Sequence, residues 1–539
     1  MPQNSPAIQA ETPLSTDDAR YIALYEALPP RAKLVLHLKA IAGPYVEKDG
    51  LFKAASAAQI LLPDGKALTS ATIGEIVGQA KRDGLWNHLC EAHSFVRHHI
   101  NIAAVEDPQS DVLLKAIRVS QRRDPYLFSN RYEPLGLRHL RLAVYLNDGQ
   151  TVADMVAEEP AQTWAKLTQF FGLLVLEPEW LESRAPVISE AVLMAKLISF
   201  LYHGVPPADF STFRDQIREL GRDTETPAAL IILAKFETLS GSPANTMGLL
   251  ERLRPAADEG GKAKASDSAV LIASAAEHIR AMADFLNGEN LEALERFREA
   301  LKLFRKATHK RKIFMPDIQG LLASLCLLRE GDPALLKELA GWLEDAERDS
   351  NFNPSYVGIL AITAMSAIAK GNDREAERTL EGIHKTLHRT PLTRMLEDLT
   401  EFMLDRQRTR KRADELRDCF ERYKGCLPLI AETYAAMLEK VAGDPEPYQA
   451  YLERPDREPI ILLTEVMQVD EPWQRALDHL QTLLVAPSKP EEPAKKKSKR
   501  LIWLVDPDIG TIEPVEQTAK RDGWNTGRAL SFRRVIKND

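Results

Sequence analysis

The side chains most able to do chemistry are four histidines and one cysteine that lie close together: His88, Cys90, His93, His98 and His99. Zinc binding requires four converging donors, usually in paired spacings that leave a turn. His98 and His99 are neighbours in a segment that we expect to form a strand, where adjacent side chains point to opposite faces. The sequence therefore predicts surface histidines, no metal site and no cofactor.

The sequence carries no recognisable catalytic motif. A phosphate-binding loop needs glycines that let backbone N–H groups approach the phosphates, together with a lysine that reaches them. The nearest segment, Pro-Asp-Gly-Lys-Ala at 63–67, lacks the first glycine and the Ser or Thr after the lysine. A nucleophile elbow, a zinc-protease helix and a dinucleotide glycine fingerprint are also missing. We therefore expect that this chain is not an enzyme.

Clusters of cations are the best candidates for contact with a polyanion. The formal net charge is −8, so a phosphate backbone would have to be met by local basic patches. Runs of charge are more often solvated surface, and that alternative stays open. The predicted nucleic-acid-binding residues are Lys81, Arg82, Arg97, Lys302, Arg305, Lys306, Lys310, Arg311, Lys312, Arg408, Arg410, Lys411 and Arg412. A further basic run fills residues 495–500.

Residues 20–104 have the layout of a winged helix-turn-helix. We expect three helices and two strands, over Arg31–Tyr45, Leu51–Leu62, a helix from Thr69 or Ser70 to Gly84, Leu85–Asn87 and Ser94–Ile102. Thr69 or Ser70 can cap the third helix, and a glycine is the residue type that ends helices in a left-handed turn.

The third helix has two interpretations. In the first, it enters a major groove of DNA while Arg97, His98 and His99 on the wing contact phosphates. Its own cations, Lys81 and Arg82, lie near its end, and Glu75 in the middle would repel phosphate. Protein contact or a purely structural role is therefore the favoured interpretation.

A small glycine-containing turn recurs through the middle of the chain. Its glycines are Gly204, Gly241, Gly288, Gly331 and Gly371, at spacings of 37, 47, 43 and 40 residues. Apolar-periodic stretches of helical length lie between them. Spacings of this size are typical of stacked helical hairpins, in which each pair of helices buries its apolar face against the next pair.

The best repeat unit runs from Phe285 to Leu301. Leu294, Phe297, Leu301 and Phe304 recur at helical spacing, and the small residues Ala293 and Ala300 would let a neighbouring helix approach. This unit resembles the tetratricopeptide repeat, in which a turn glycine is followed by alanine, an aromatic residue and another alanine. The longer spacing and the missing family tryptophan and proline make the array a degenerate one. The resemblance implies a scaffold whose groove holds a protein partner.

The C-terminal residues 501–539 predict a small antiparallel β meander. Three features stand out: a strand containing Trp503, the stretch Pro514–Gln517, and Gly523–Arg528 leading to Phe532-Arg533-Arg534. Together they resemble the segment that precedes the motor in certain large bacterial helicases of the Snf family. The resemblance implies that this chain is the non-catalytic N-terminal region of such a machine, with the ATPase motor beyond Asp539.

The predicted class is mainly α, with several domains along the 539 residues. We expect a disordered leader at 1–19, a winged-helix-like domain at 20–104, a helical connector at 105–185, an α-hairpin repeat scaffold at 186–485, a charged linker at 486–500 and the β meander at 501–539. The most apolar run, 187–202, is interrupted by Glu190 and Lys196 and predicts a buried helix, not a membrane span. Four cysteines without a CxxC pair suit the cytoplasm.

These features lead to two functional hypotheses. The first is a non-enzymatic accessory region of a DNA-associated ATPase, acting through protein contacts and weak phosphate contacts. The second is a free-standing helical-repeat interaction scaffold or regulator with a winged-helix domain. The sequence identifies no small-molecule substrate.

Overall fold

The structure, a computed structural model, is almost entirely helical where it is described. It describes residues 16–43, 46–85, 94–124, 128, 135–172, 174, 176, 178–204, 206–207, 209–261, 265–309, 317–350, 357–384, 390–453 and 471–485. Within these ranges there are 26 α-helices, and the one β feature is an isolated bridge between Leu61 and Ala67. The mainly α class is confirmed. The linker and β meander predicted for 486–539 lie outside the described residues.

Contacts divide the chain into two compact units, Met1–Lys196 and Leu197–Asp539. Helices α1 to α10 of the first unit are Thr16–Glu26, Pro30–Ala42, Lys48–Ala57, Ser70–Arg82, Ser94–Glu106, Ser110–Arg123, Leu135–Tyr145, Gly149–Glu158, Pro160–Phe171 and Pro178–Glu182. Helix α11 (Pro186–His203) contains the division between the units and is largely buried, as its apolar sequence predicts. Helix α1 begins at Thr16, so residues 16–19, predicted to belong to a disordered leader, are helical.

Helix α4 begins and ends where its sequence signals predict. The Thr69 hydroxyl accepts a 3.1 Å hydrogen bond from the backbone N–H of Thr72 and so caps the first turn. Gly84 follows the helix with φ +81°, in the left-handed region that favours glycine. Lys81 and Arg82 lie exposed in the last turn.

The wing predicted for Ser94–Ile102 is wrong, because this segment lies within helix α5. Val96, Ile100 and Ala104 are fully buried at a four-residue spacing, which places them on one helical face. That face packs against α2, and α5 also contacts α1, α6 and α7. The β-branched residues of this segment favour a strand locally, and burial against α2 overrides that preference. Leu85, predicted to begin the other strand, is a buried bend.

The second unit is built from helical hairpins. The first helices of successive hairpins, here called the A layer, are α13 (Pro227–Leu239), α15 (Asp267–Leu286), α17 (Asp317–Glu330), α19 (Val357–Ala369), α21 (Pro391–Leu404) and α24 (Pro428–Val441). The second helices are α14 (Pro243–Gly261), α16 (Asn290–Ala307), α18 (Pro333–Ser350), α20 (Asp373–His384), α23 (Ala413–Tyr423) and α25 (Glu446–Leu452). Three more helices are α12 (Phe210–Asp223), α22 (Arg406–Arg410) and α26 (Glu471–Val485).

Each A-layer helix packs against the next one along the chain, from α13 through to α24. Most of them also pack against the second helix of their own hairpin. This is the stacking that a hairpin needs when it cannot bury its apolar face alone. The architecture is therefore helical-repeat-like.

The five recurring glycines share one backbone conformation. Their φ angles are +65° at Gly204, +74° at Gly241, +84° at Gly288, +62° at Gly331 and +71° at Gly371. Side chains with a Cβ rarely adopt this region. Each glycine follows the last turn of a helix. At Gly241, Gly288, Gly331 and Gly371 the chain turns into the second helix of a hairpin, which confirms these four turns, while part of the turn predicted after Gly204 lies outside the described residues.

The unit that resembles a tetratricopeptide repeat forms the hairpin of α15 and α16. Leu294, Phe297, Leu301 and Phe304 are all buried on one face of α16, as the spacing predicts. Ala300 is fully buried, and its carbonyl oxygen accepts a 2.8 Å hydrogen bond from the hydroxyl of Ser274 on α15. A side chain larger than alanine at this position would push the two helices apart.

Candidate protein-binding site

The A-layer helices α17 and α19 are apolar around most of their circumference. Residues 321–328 of α17 are all buried, and the 13 residues of α19 include no charged side chain. A helix of this composition has to be covered on nearly every side. The second helix of a hairpin covers only one side, so another element must cover the rest.

Helix α26 supplies part of that cover. It lies against α17, α18 and α19, and the surface that these three helices present to it is here called the helix groove. Ala476, Leu477 and Leu480 of α26 are buried and fall on one helical face, while His479 and Thr482 on the other faces are exposed. Helix α26 is thus an amphipathic helix seated in a groove.

Two polar contacts fix the position of α26 in the groove. The Ser366 hydroxyl of α19 donates a buried 2.9 Å hydrogen bond to Oε1 of Gln481. The Lys370 ammonium, in the turn after α19, lies 3.0 Å from Oδ1 of Asp478, and both side chains are about half exposed. This buried hydrogen bond favours one register, because a shifted α26 would take the Gln481 carboxamide oxygen away from this donor, while the Ser366 hydroxyl would keep the Thr363 carbonyl oxygen, 2.8 Å away, as an acceptor.

Helix α26 does not pack where the next helix of the repeat array would pack. Among the described residues, the last hairpin is α24 and α25, and α26 is the next described helix in sequence. Its main contacts are nevertheless with the hairpins in the middle of the array. A terminal helix that only capped the array would lie on its last hairpin.

Two of the four cations predicted between residues 408 and 412, Arg408 and Arg412, are committed to internal ion pairs. The Arg412 guanidinium lies 3.0 Å from Asp398 Oδ1 and also contacts Glu401 and Glu415. The Arg408 Nε lies 2.5 Å from the other oxygen of Glu401. Asp398 and Glu401 are almost fully buried on α21, so these arginines neutralise buried carboxylates.

Burial dominates the electrostatics of this cluster. It raises the pKa of Asp398 above its usual value even though Arg412 and the Tyr434 hydroxyl, which donates a 2.9 Å hydrogen bond to Oδ2, oppose the shift. Burial, and then the charge of Asp398, raises the pKa of Tyr434. Groups tied to each other in this way hold helices together and offer no open acid or base to a substrate.

The other predicted nucleic-acid-binding residues are scattered. Lys302 is exposed and paired with Glu299 at 2.8 Å, and Arg410 and Lys411 are exposed at the end of α22. Arg97 lies on helix α5, where its guanidinium sits 5.6 Å from the centre of the Phe170 ring. Arg305 and Lys306 lie in the last turn of α16, and Lys310, Arg311 and Lys312 lie outside the described residues.

The described histidines of the candidate metal cluster do not converge. His98 is buried, with Nδ1 2.9 Å from the Tyr145 hydroxyl, and burial lowers its pKa to about 3. His99 points elsewhere and pairs with Glu26 of α1 at 2.8 Å. His88, Cys90 and His93 lie outside the described residues. Among the residues that are described, no three His, Cys, Asp or Glu side chains form a group able to hold a metal ion.

A buried chain of polar groups in the first unit has the order of a catalytic triad. The Tyr25 hydroxyl lies 2.6 Å from Nε2 of His37, and Nδ1 of His37 lies 2.6 Å from Oδ2 of Asp107. Tyr25 is only 1% exposed, and burial raises its pKa. A substrate cannot reach the Tyr25 hydroxyl, and burial opposes its ionisation, so it is not placed to act as a nucleophile. The hydrogen bonds of Tyr25, His37 and Asp107 instead join α1 and α2 to the segment between α5 and α6.

A surface pocket of about 320 Å³ lies in the first unit beside Tyr145, Trp180 and Arg184. Arg184 donates to the carbonyl oxygens of Trp180 and Tyr145, both at 3.3 Å, and its guanidinium lies 5.0 Å from the Trp180 ring centre. The Arg184 guanidinium therefore already contacts the residues that line the pocket. The pocket pairs no base with a nucleophile.

Sequence reasoning missed the role of α26. The spacing of Ala476, Leu477, Leu480 and Leu484 is that of an amphipathic helix and was available in the sequence. The sequence does not show which helices that face packs against, because Ser366 lies 115 residues from Gln481 and no local pattern links the two residues.

Comparison with known proteins gives no relative: no family model, no curated protein and no solved structure matches the chain. None of the helices within the described ranges is long and apolar enough to cross a bilayer.

Proposed function

We propose that this chain is a non-enzymatic binding scaffold that holds a protein partner through its array of helical hairpins. The observation that carries the proposal is the continuous A layer from α13 to α24 with an amphipathic helix seated against α17 and α19. Such an array presents a long surface made of few repeated parts, which suits binding of an extended or helical partner. The internal pairing of Arg412, Asp398 and Tyr434 supports a structural use of the buried charges.

A capture experiment tests this function. The full chain is immobilised, and proteins retained from a lysate of the source organism are purified and titrated against it. The Leu480→Asp variant, which disfavours the seat of α26, should retain the partner more tightly than wild type. The matched control His479→Asp places the same charge on the exposed side of the same helix and should behave as wild type. Failure of all three chains to bind any purified candidate contradicts the proposal.

A role beside a DNA-associated ATPase remains a second candidate. It rests on the resemblance of the C-terminal segment to Snf-family helicases and on the exposure of Lys81 and Arg82 in the last turn of α4. Salt screens such contacts strongly, so a gel shift at low ionic strength is the sensitive test. The doubly substituted Lys81→Glu, Arg82→Glu chain should lose duplex binding that wild type shows, and absence of any shift for wild type removes this candidate.

A further inference from the structure

We propose that α26 is an internal substitute for a partner helix, seated in the helix groove of α17, α18 and α19 and exchangeable with it. This inference rests on the proposed function and names the chemistry of the partner. The partner is an amphipathic helix from another protein that carries the groove-facing pattern of α26: a small residue, a leucine, a carboxylate, then a leucine and a carboxamide.

The position of α26 along the chain is the first support. A helix that served only to close the described array would lie on α24 and α25, its last described hairpin. Instead α26 returns to hairpins that precede it by more than one repeat, and residues 454–470 join it to α25. Its seat is therefore reached by binding between distant segments, which a helix on another chain could also achieve.

The composition of the interface is the second support. Among the side chains of α26 that the structure describes, Ala476, Leu477 and Leu480 are buried. Two polar contacts accompany them: Gln481 with Ser366, and Asp478 with Lys370. Polar pairs of this kind select a partner and its register more than they add affinity.

The connection to the rest of the chain explains why α26 occupies the groove in the absence of a partner. A segment of the same chain binds at a high effective concentration, so α26 fills the groove ahead of a helix that is free in solution. A partner helix has to compete with that concentration. Weakening the tethered helix should therefore raise the apparent affinity of any helix added in solution.

Peptide binding to the full chain tests the exchange. The probe is a fluorescein-labelled peptide of residues 471–485, measured by anisotropy against wild type, Leu480→Asp and the control His479→Asp. We expect the Leu480→Asp chain to bind the probe at least tenfold more tightly than the other two, and a probe that itself carries Leu480→Asp to bind none of them. Equal affinity for all three chains overturns the proposal, as does loss of cooperative unfolding in the Leu480→Asp chain, because α26 would then belong to the core.

Hydrogen exchange on the wild-type chain is the second measurement and needs no variant. Amides of α26 should exchange through local opening, faster than those of α17 and α19 and faster still with unlabelled peptide added. Exchange of all three helices together, only on global unfolding, overturns the proposal. A chain that exchanges α26 and binds the peptide but captures no protein refutes the proposed function, and the exchangeable helix stands.

Discussion

The hydroxyl of Tyr423, the last residue of α23, donates a 2.9 Å hydrogen bond to the carbonyl oxygen of Gly204, 219 residues earlier in the chain. Pro391, at the start of α21, packs on the same glycine. Gly204 is thus held against hairpins that come late in the array. This crowding leaves less room for a side chain at Gly204 than at the other recurring glycines.

Replacing Gly204 by alanine should therefore destabilise the protein more than the same change at Gly288. A Cβ at Gly204 would lie 2.0 Å from Pro391 Cγ and 2.7 Å from the Tyr423 hydroxyl, whereas nothing lies within 4 Å at Gly288. Both variants bear the left-handed backbone cost of about 1–2 kcal/mol, and Gly204→Ala adds an overpacking cost of about 1–3 kcal/mol. Urea unfolding measures the difference, and equal midpoints for the two variants would rule out this packing.

Removing the arginine at the centre of the buried carboxylates should be costly. Arg412→Ala removes a counter-charge of the buried Asp398 and one of the two arginines that contact Glu401, and breaking such a pair costs about 3–5 kcal/mol. Arg410→Ala, in the same short segment but exposed, is the matched control and should change stability by about 0.5 kcal/mol or less. The two variants are compared by denaturant unfolding, and similar free energies of unfolding would show that Arg412 does not stabilise the buried carboxylates.

The same cluster predicts a pH dependence. Because burial raises the pKa of Asp398 in the folded protein, the fold binds this proton more tightly than the unfolded chain does. The resulting stability is present below the ordinary aspartate pKa of 3.8 and is lost as pH rises through the folded value. Wild type should therefore lose stability relative to Asp398→Asn as pH rises above that point. If wild type instead gained stability relative to Asp398→Asn as pH rises, the pKa of Asp398 would be lowered by folding and this interpretation would be wrong.

Burial of His98 predicts a pH dependence of stability with the opposite sign to that of Asp398: stability is lost as pH falls. Its pKa is lowered from 6.5 to about 3, so the folded protein keeps this ring neutral while the unfolded chain takes up a proton below pH 6.5. The stability of wild type relative to His98→Gln should fall on acidification from pH 6.5 towards 3, with a slope approaching about 1.4 kcal/mol per pH unit. A flat difference curve across this range would mean that the ring is accessible to water.

Much of the array could be predicted from the sequence because its signals are local. A glycine at the end of an apolar-periodic stretch fixes a turn, and the spacing of Leu294, Phe297 and Leu301 fixes the buried face of a helix. The assignment of Ser94–Ile102 failed because its β-branched residues favour a strand locally, and only packing against α2 decides for the helix. The bond between Tyr423 and Gly204 and the seat of α26 depend on residues far apart in sequence, for which no local signal exists.

Cross-linking mass spectrometry on the captured complex tests most directly whether the groove holds a protein. The Lys370 ammonium lies beside Asp478 of α26, at the helix groove. We expect links from the partner to Lys370, stronger in Leu480→Asp than in His479→Asp. Links confined to the first unit, or a partner bound with no link to Lys370 in any variant, would contradict the proposal.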